Sequence, residues 1–590
     1  MMLAPDDRTT LAEHIRPPSN AELTHLVGTT CALDLNSALI APLAAAGNTD
    51  LHAADSVQIF AALHTTVDKI DIFHQAGRVA VPQKPSRLLT LLEGTLHAVH
   101  HRQGSLFGPK LWLARYACAD GTTAYKLIVL TRDLTPDKSW DVAVVLDGYA
   151  STRPSSSNHL LSKLIEYLPA ATVVPLTSAR RKRITDLSAE IRYAHWTPPA
   201  GVTDVAFHAL GIPGVTSRPD FSGNKQLIVS PDLDAAAVTA LFRGGSDGCV
   251  VSTQQAFDNL GSSALPDGVA GYVLAPDAGI PTDMDTAARP AALRGLHANL
   301  VCAQRNHRSH LFIGSASPTG AAWGGNVEFL VELDAGKSAS VDQMLGDKGM
   351  GPILVPLEPA ASPRRARGNP AGDALDAHLR DVAGTQLTVD TNRHGEQRRM
   401  HVTSSHELPA ADDVRLTLAP LTQPAMERDL DSDQPVDAEF DVEPTDATAL
   451  FIIRATRSGR RPRSTVIRAQ VGEHCPQRAH GPPTGVITSI EEFVRLLQLL
   501  LGPDDDTLAD DLAEPHPATN RRDRHPDTAR GLFEMLIRTA ADRPEALDKA
   551  CPIVEDIIAE DGPEHVLPVG FSELWSAVNG ALRGAEPSDE

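Results

Sequence analysis

The chain has 590 residues, 42% hydrophobic and 22% charged, with a formal net charge of −22; this is the composition of folded domains, and too long for a single core. No apolar run reaches the roughly 18–20 residues that a bilayer crossing needs, and the N-terminus lacks the basic-then-apolar layout of a signal peptide. The six cysteines form no C-x-x-C pair, which argues against a zinc site or a disulfide framework, so the expectation is a cytoplasmic protein with reduced thiols, no cofactor, no metal and no membrane contact.

Residues 21–150 read as one α/β unit. Apolar stretches at 24–33, 57–62 and 78–82 predict strands, 89–98 a helix, and 111–116, 126–131 and 141–148 three further strands. Residues 151–290 repeat the alternation: helix 158–167, strand 170–176, helix 186–192, then a buried strand Leu227–Val229 and a helix starting near Asp234. Such alternation favours a largely parallel sheet covered by helices. The Pro- and Gly-rich segment 359–372 reads as a linker. Beyond it, short alternating segments across 384–472 predict a small β domain, with the acidic stretch 423–447 as a solvated loop. The tail returns to helices: Ser489 and Glu492 form a capping box before FVRLLQLLL, and two or three amphipathic helices follow residue 530. The expected division is 1–150, 151–358, the linker 359–372, a β domain 373–480 and a helical acidic region 481–590.

Charge follows this division. Residues 1–350 carry 28 Lys+Arg against 33 Asp+Glu, and residues 351–590 carry 25 against 42, so −5 and −17 make up the total of −22. A polyanion is repelled by the second part and tolerated by the first.

An internal duplication dominates the first 350 residues. Residues 296–333, LHANLVCAQRNHRSHLFIGSASPTGAAWGGNVEFLVEL, echo residues 106–148, LFGPKLWLARYACADGTTAYKLIVLTRDLTPDKSWDVAVVLDG. Each copy has a short triplet, two apolar strands ending in a hydroxyl-bearing turn, and a closing alternating strand. On these residues the chain resembles the phospholipase D superfamily, in which two half-sites meet in one phosphodiester-cleaving centre. The resemblance implies two pseudo-symmetric α/β/α halves. It also implies metal-independent chemistry: one histidine attacks phosphorus to form a phosphohistidine, and the other protonates the leaving oxygen. Lysines two residues after each histidine hold the phosphate, because i and i+2 share a strand face.

Mapped on this pattern, the second copy keeps His297 but has Asn299 in the lysine position. Gly314 and Ser315 stay, Ser317 stands where Asn is usual, and Asn326 and Glu328 fit an N-x-E in which Glu orients a histidine ring. The first copy, Gly108-Pro109-Lys110, keeps the lysine and lacks the histidine, and Thr131-Arg132-Asp133 replaces Ser-Arg-Asn. The resemblance thus implies His297, Lys110, Ser315, Asn326 and Glu328 as catalytic residues, and Thr131, Asp133, Asn299 and Ser317 as substrate-binding ones. Read alone, His297 fits a packed or surface histidine, Lys110 a strand lysine reaching for water, and Ser315 and Thr131 turn caps. His307 and His310 read as a surface turn, as do His97, His100 and His101, with a substitute acid among these three as the minor alternative; Arg180–Arg183 read as a solvated helix start or a phosphate contact.

The triplets F-G-P-K-L-W and L-H-A-N also resemble those of bacterial phospholipase D-like proteins that accompany helicases in anti-phage operons. This implies a phosphodiesterase or nuclease of reduced activity in a nucleic-acid-directed defence system. Nucleic acid and a helicase or another protein of that operon are the implied partners. The alternative is a pseudoenzyme that binds nucleic acid or scaffolds a complex.

Overall fold

The computed structural model describes residues 9–472 apart from 48–55, 85–86, 138, 244–246, 261–264, 277, 279–294, 306–307, 337–338, 358–369 and 432–433; beyond these it describes 490–501, 536, 539–540, 544–559, 566–568 and 570–583. His307, Ser489 and most of the expected linker lie outside the described residues.

The strands of the first part are β1 (Ala21–Thr30), β2 (Leu33–Asp34), β3 (Ile70–Gln75), β4 (Val79–Ala80), β5 (Leu96–Val99), β6 (Leu111–Cys118), β7 (Thr123–Leu130), β8 (Ala143–Ala150) and β9 (Ala194–Trp196). All but the short β2 and β4 join one sheet in the order β5-β3-β1-β6-β7-β8-β9. Next come β10 (Val202–Leu210), β11 (Lys225–Val229), β12 (Asp247–Val251), β13 (Val269–Leu274), β14 (Leu300–Arg305), β15 (Arg308–Gly314), β16 (Glu328–Ala335) and β17 (Leu354–Pro356). They form a second sheet in the order β10-β16-β15-β14-β11-β12-β13-β17. The orders match strand for strand: β5-β3-β1 answers β13-β12-β11, and β6-β7-β8 answers β14-β15-β16. The duplication read from the sequence is therefore a duplication of topology, and the two pseudo-symmetric α/β halves are present.

Several expectations need correction. The sheets are mainly antiparallel: only β1 with β3, β3 with β5, β11 with β12 and β12 with β13 run parallel. Helical crossovers serve just those trios, whereas the motif strands are consecutive antiparallel neighbours, which short turns can join. Residues 57–62 are helical, within Ser56–Thr66, because Val57, Phe60 and Ala61 recur at helical spacing and are buried together. Residues 89–98 divide between a 3-10 turn, Arg87–Gly94, and β5, while 170–171 end the helix His159–Ala171 rather than opening a strand. The boundary expected at 150/151 falls within the first sheet, since β9 pairs with β8 and the intervening helices, His159–Ala171 and Ser178–Ile191, pack against that sheet's inner face.

The halves share one core. Leu113 and Leu127 of the first sheet, Leu164 and Leu168 of the helix His159–Ala171, and Phe207 and Phe329 of the second sheet belong to one buried cluster. Phe207 and Phe329 stack with ring centroids 5.9 Å apart. Asp234 caps the helix Ala235–Leu241 as expected, accepting from Ala237 N at 2.7 Å.

The β domain is a sandwich. β18 (Leu387–His394), β19 (Gln397–Glu407), β20 (Val414–Pro420), β21 (Arg428–Leu430), β22 (Pro435–Val442), β23 (Leu450–Arg457), β24 (Arg463–Arg468) and β25 (Gln470–Val471) make two four-stranded sheets. The acidic stretch expected to be loop thus supplies β21 and β22. In β22, Val436, Ala438, Phe440 and Val442 point inward while Asp437, Glu439 and Asp441 alternate with them, so period two overrides the acidity. The helix Pro370–Ala383 takes in the end of the expected linker. Of the tail, the helices Ile490–Leu501, Pro544–Ala559 and Phe571–Arg583 pack with Val57, Phe60 and Ala61 of the first half.

Candidate active site

Both motif triplets sit immediately before the first strand of their hairpins, and the same backbone bonds hold each. Leu130 N donates to Lys110 O at 2.8 Å, as Gly314 N does to Asn299 O at 3.3 Å. The hydroxyl of Thr131 accepts from Val142 N at 2.9 Å, and that of Ser315 from Phe329 N at 3.0 Å. These hydroxyls tie each turn to its closing strand. Gly314 has φ +155°, and a Cβ there would run into the carbonyl of Phe329, so only glycine lets the turn approach β16 so closely.

The halves then exchange contacts reciprocally. Gly108 N donates to Val327 O at 2.8 Å and Val327 N to Leu106 O at 2.9 Å; His297 N donates to Trp140 O at 2.8 Å and Trp140 N to Gly295 O at 2.9 Å. Position 108 therefore answers 297, and Asp141, next to Trp140, answers Glu328, next to Val327.

At the first corner, Lys110 Nζ lies 3.4 Å from Asp133 and donates to Thr131 O at 3.1 Å. Asp133 is itself fixed by Cys31 N at 2.9 Å, Ala32 N at 3.1 Å and the Thr30 hydroxyl at 3.2 Å. Glu328 reaches in from the other half. It accepts from the Ser315 hydroxyl at 2.5 Å and from Asn326 Nδ2 at 3.1 Å, while Asn326 Oδ1 accepts from Leu106 N at 3.0 Å. A Cβ built at Gly108 would come within 2.8 Å of Glu328 Cδ and Oε1 and closer still to Oε2. Glu328 is 4% exposed, and burial pushes its carboxyl up to about 7 against the pull of Ser315, Asn326 and Lys110.

At the second corner, His297 is partly exposed, and charge on its ring favours ionisation of both Asp137 and Asp141. Burial raises Asp141, with Arg132 pulling the other way. Burial also raises Asp137, but hydrogen bonds from Ser139 and Thr135 outweigh it and hold that carboxyl low. A cavity of about 430 Å³ opens beside this corner, lined by Arg132, Asp133 and Asp141 and walled by Leu11, Trp112 and Leu130.

The structure thus gathers Lys110, Thr131, Asp133, Ser315, Asn326 and Glu328 at one corner and places His297 at its pseudo-symmetric partner. Asn299 is buried, accepting from the Ser230 hydroxyl at 2.8 Å and donating to Ser315 O at 3.4 Å, so it braces the turn. Ser317 lies on the turn after β15, its carbonyl accepting from Thr319 N at 2.8 Å. Asp137 and Asp141 were missed by sequence reasoning. The signal was present, because aligning Ser139-Trp140-Asp141 with Asn326-Val327-Glu328 puts an acid at the head of each closing strand. His97 does not replace the missing acid: it is buried against Asp71 at 2.8 Å. Arg180 and Arg183 turn inward to the same Asp71, at 2.6 and 3.6 Å, leaving Arg181 and Lys182 exposed. Among the described residues, no group of three or more His, Cys, Asp or Glu is arranged to hold a metal ion, and no helix is long and apolar enough to cross a membrane.

No family model matches the chain, and no curated protein does. Among solved structures, a yeast tyrosyl-DNA phosphodiesterase is similar at 13% identity and TM-score 0.35, over 57% of this chain and 87% of that one. A mutant of the same enzyme gives TM-score 0.36 at 13% identity, over 57% and 87%. A phosphatidylserine synthase from Haemophilus influenzae Rd KW20 gives TM-score 0.32 at 10% identity, over 63% of this chain and 90% of that one.

Proposed function

We propose that this chain is a phospholipase D-type protein with a pared-down, metal-independent phosphodiesterase site that turns over slowly. Its substrate class is a nucleic-acid phosphodiester, and its setting a bacterial defence system with a helicase or similar partner. The observation that supports this reading is the reciprocal junction: two copies of one motif are each completed by backbone from the other half, with Lys110 paired to Asp133 and Ser315 bonded to Glu328. An imidazole nitrogen of His297 would attack phosphorus, with Lys110 and Ser315 stabilising charge on the phosphoryl oxygens. Lacking a second histidine costs such a site about 10²–10⁴-fold in rate unless another group supplies the proton.

A second reading, a pseudoenzyme that binds nucleic acid or scaffolds a complex, draws on a separate observation. Lys110 is already paired with Asp133, and Asn299 is buried where a second phosphate-binding cation would stand. The test compares wild type, His297→Ala and the double variant Gly108→His/Asn299→Lys on bis-p-nitrophenyl phosphate and single-stranded DNA in EDTA. Wild-type turnover lost in His297→Ala supports the slow enzyme. A silent wild type beside an active double variant supports the pseudoenzyme.

A further inference from the structure

The junction is symmetric in backbone and asymmetric in side chains. At one corner the backbone of His297 is held by Trp140, the neighbour of Asp141; at the other the acid remains as Glu328, and its partner position is Gly108. The Glu328 carboxyl is not displaced by this loss. It fills the gap, so closely that a Cβ at 108 would lie 2.8 Å from Cδ and Oε1. We propose that Glu328 is itself the general acid of the site, its carboxyl standing where a side chain at position 108 would project. This rests on the phosphodiesterase reading above and names the group that reading leaves out.

The surroundings suit a carboxyl that keeps its proton and can give it up. Ser315 and Asn326 each donate to one of its oxygens, Lys110 is the cation facing it, and Asp133 is the opposing anion. Burial, the largest influence, keeps the group near half-protonated at neutral pH, the range in which acid catalysis is most effective. In the first step an imidazole nitrogen of His297 forms the N–P bond as the P–O bond to the leaving group breaks. The departing oxygen takes the Glu328 proton and leaves as an alcohol. In the second step water attacks phosphorus, its proton passes to the Glu328 carboxylate, and the N–P bond breaks. The phosphomonoester leaves, and His297 and the acid are regenerated.

The test compares wild type with Glu328→Gln, Glu328→Asp and His297→Ala on two diesters. One has a p-nitrophenolate leaving group, which needs no proton, and the other has a deoxynucleoside alkoxide, which does. Pre-steady-state bursts isolate the first step, since the base role in the second step is common to both diesters; in that step Glu328→Gln is expected to lose about 10²-fold or more on the alkoxide diester and about tenfold less than that on the p-nitrophenyl diester. Its pH profile would lose the alkaline limb near 7, and Glu328→Asp would keep part of the alkoxide activity. Equal first-step loss on both diesters, or no loss on either, overturns the acid role while leaving the His297 reading standing. Turnover that survives His297→Ala, or a wild type silent on both diesters, overturns the phosphodiesterase reading and this inference with it.

Discussion

Replacing Glu328 by glutamine should change the chain's stability in a pH-dependent way, independently of any turnover. The folded carboxyl titrates near 7, against an ordinary value of 4.5. A raised folded value stabilises the protonated form, so the contribution is fully present below about pH 4.5 and is lost as pH climbs through about 7. At about 1.4 kcal/mol for each pH unit between those values, wild type forfeits about 3 kcal/mol across the window. Glutamine cannot ionise and forfeits none of it. The readout is local: hydrogen exchange by mass spectrometry on the peptide covering β16, in native buffer from pH 5 to 8. Near pH 5 the two proteins should open with similar free energies, and near pH 8 the glutamine variant should be harder to open by about 3 kcal/mol. A wild-type-minus-variant difference that stays flat from pH 5 to 8 would refute the argument, showing Glu328 ionised throughout and paired with Lys110.

Asp141→Asn should slow His297-dependent turnover about 10-fold with little change in KM, as expected when a carboxylate that interacts with the imidazole through charge is neutralised; steady-state kinetics on p-nitrophenyl diesters checks it. Asp71→Ala strips the buried partner from His25, His97 and Arg180 and should cost about 3–5 kcal/mol, seen as a lower melting temperature. Gly211→Ala places a side chain at φ +72° against the Asn326 carbonyl and should destabilise by about 1–3 kcal/mol, read from the urea midpoint. Leu497→Ala opens a hole in the cluster joining the helix Ile490–Leu501 to the helix Ser56–Thr66, at about 2–5 kcal/mol; limited proteolysis should then release the tail first.

The duplication was legible because strand periodicity survives substitution. LIVL, LFIG and VEFLVEL keep their faces although the triplets before them have diverged. The Asp234 cap was legible for the same local reason. What escaped depended on neighbours far along the chain. Val57, Phe60 and Ala61 read as strand until Phe493 and Leu497 are placed against them. The run Arg180–Arg183 reads as surface until Asp71, over 100 residues earlier, is found beneath it. At the site, Lys110 and Ser315 follow from motif spacing. The packing of Glu328 against Gly108 does not, since it exists only once the halves meet. Asn299 shows the converse, a residue in a functional position whose hydrogen bonds are those of a brace.

The reciprocal junction also sets a timetable for the ribosome. Leu106 N finds its acceptor, Asn326 Oδ1, 220 residues later, and at roughly 5–20 residues per second that is about 10–45 s of synthesis. Phe107 N can pair early, with Gln75 Oε1 of the same half, but the amides of Leu106 and Gly108 wait for Asn326 and Val327, and from the synthesis of β9 onward they wait beside a sheet whose strands are all made. The first half is therefore made early and finished late. A nascent chain arrested before residue 326 exposes an open backbone edge of the kind that recruits other strands. Supplying residues 202–357 as a separate polypeptide is the natural way to close it.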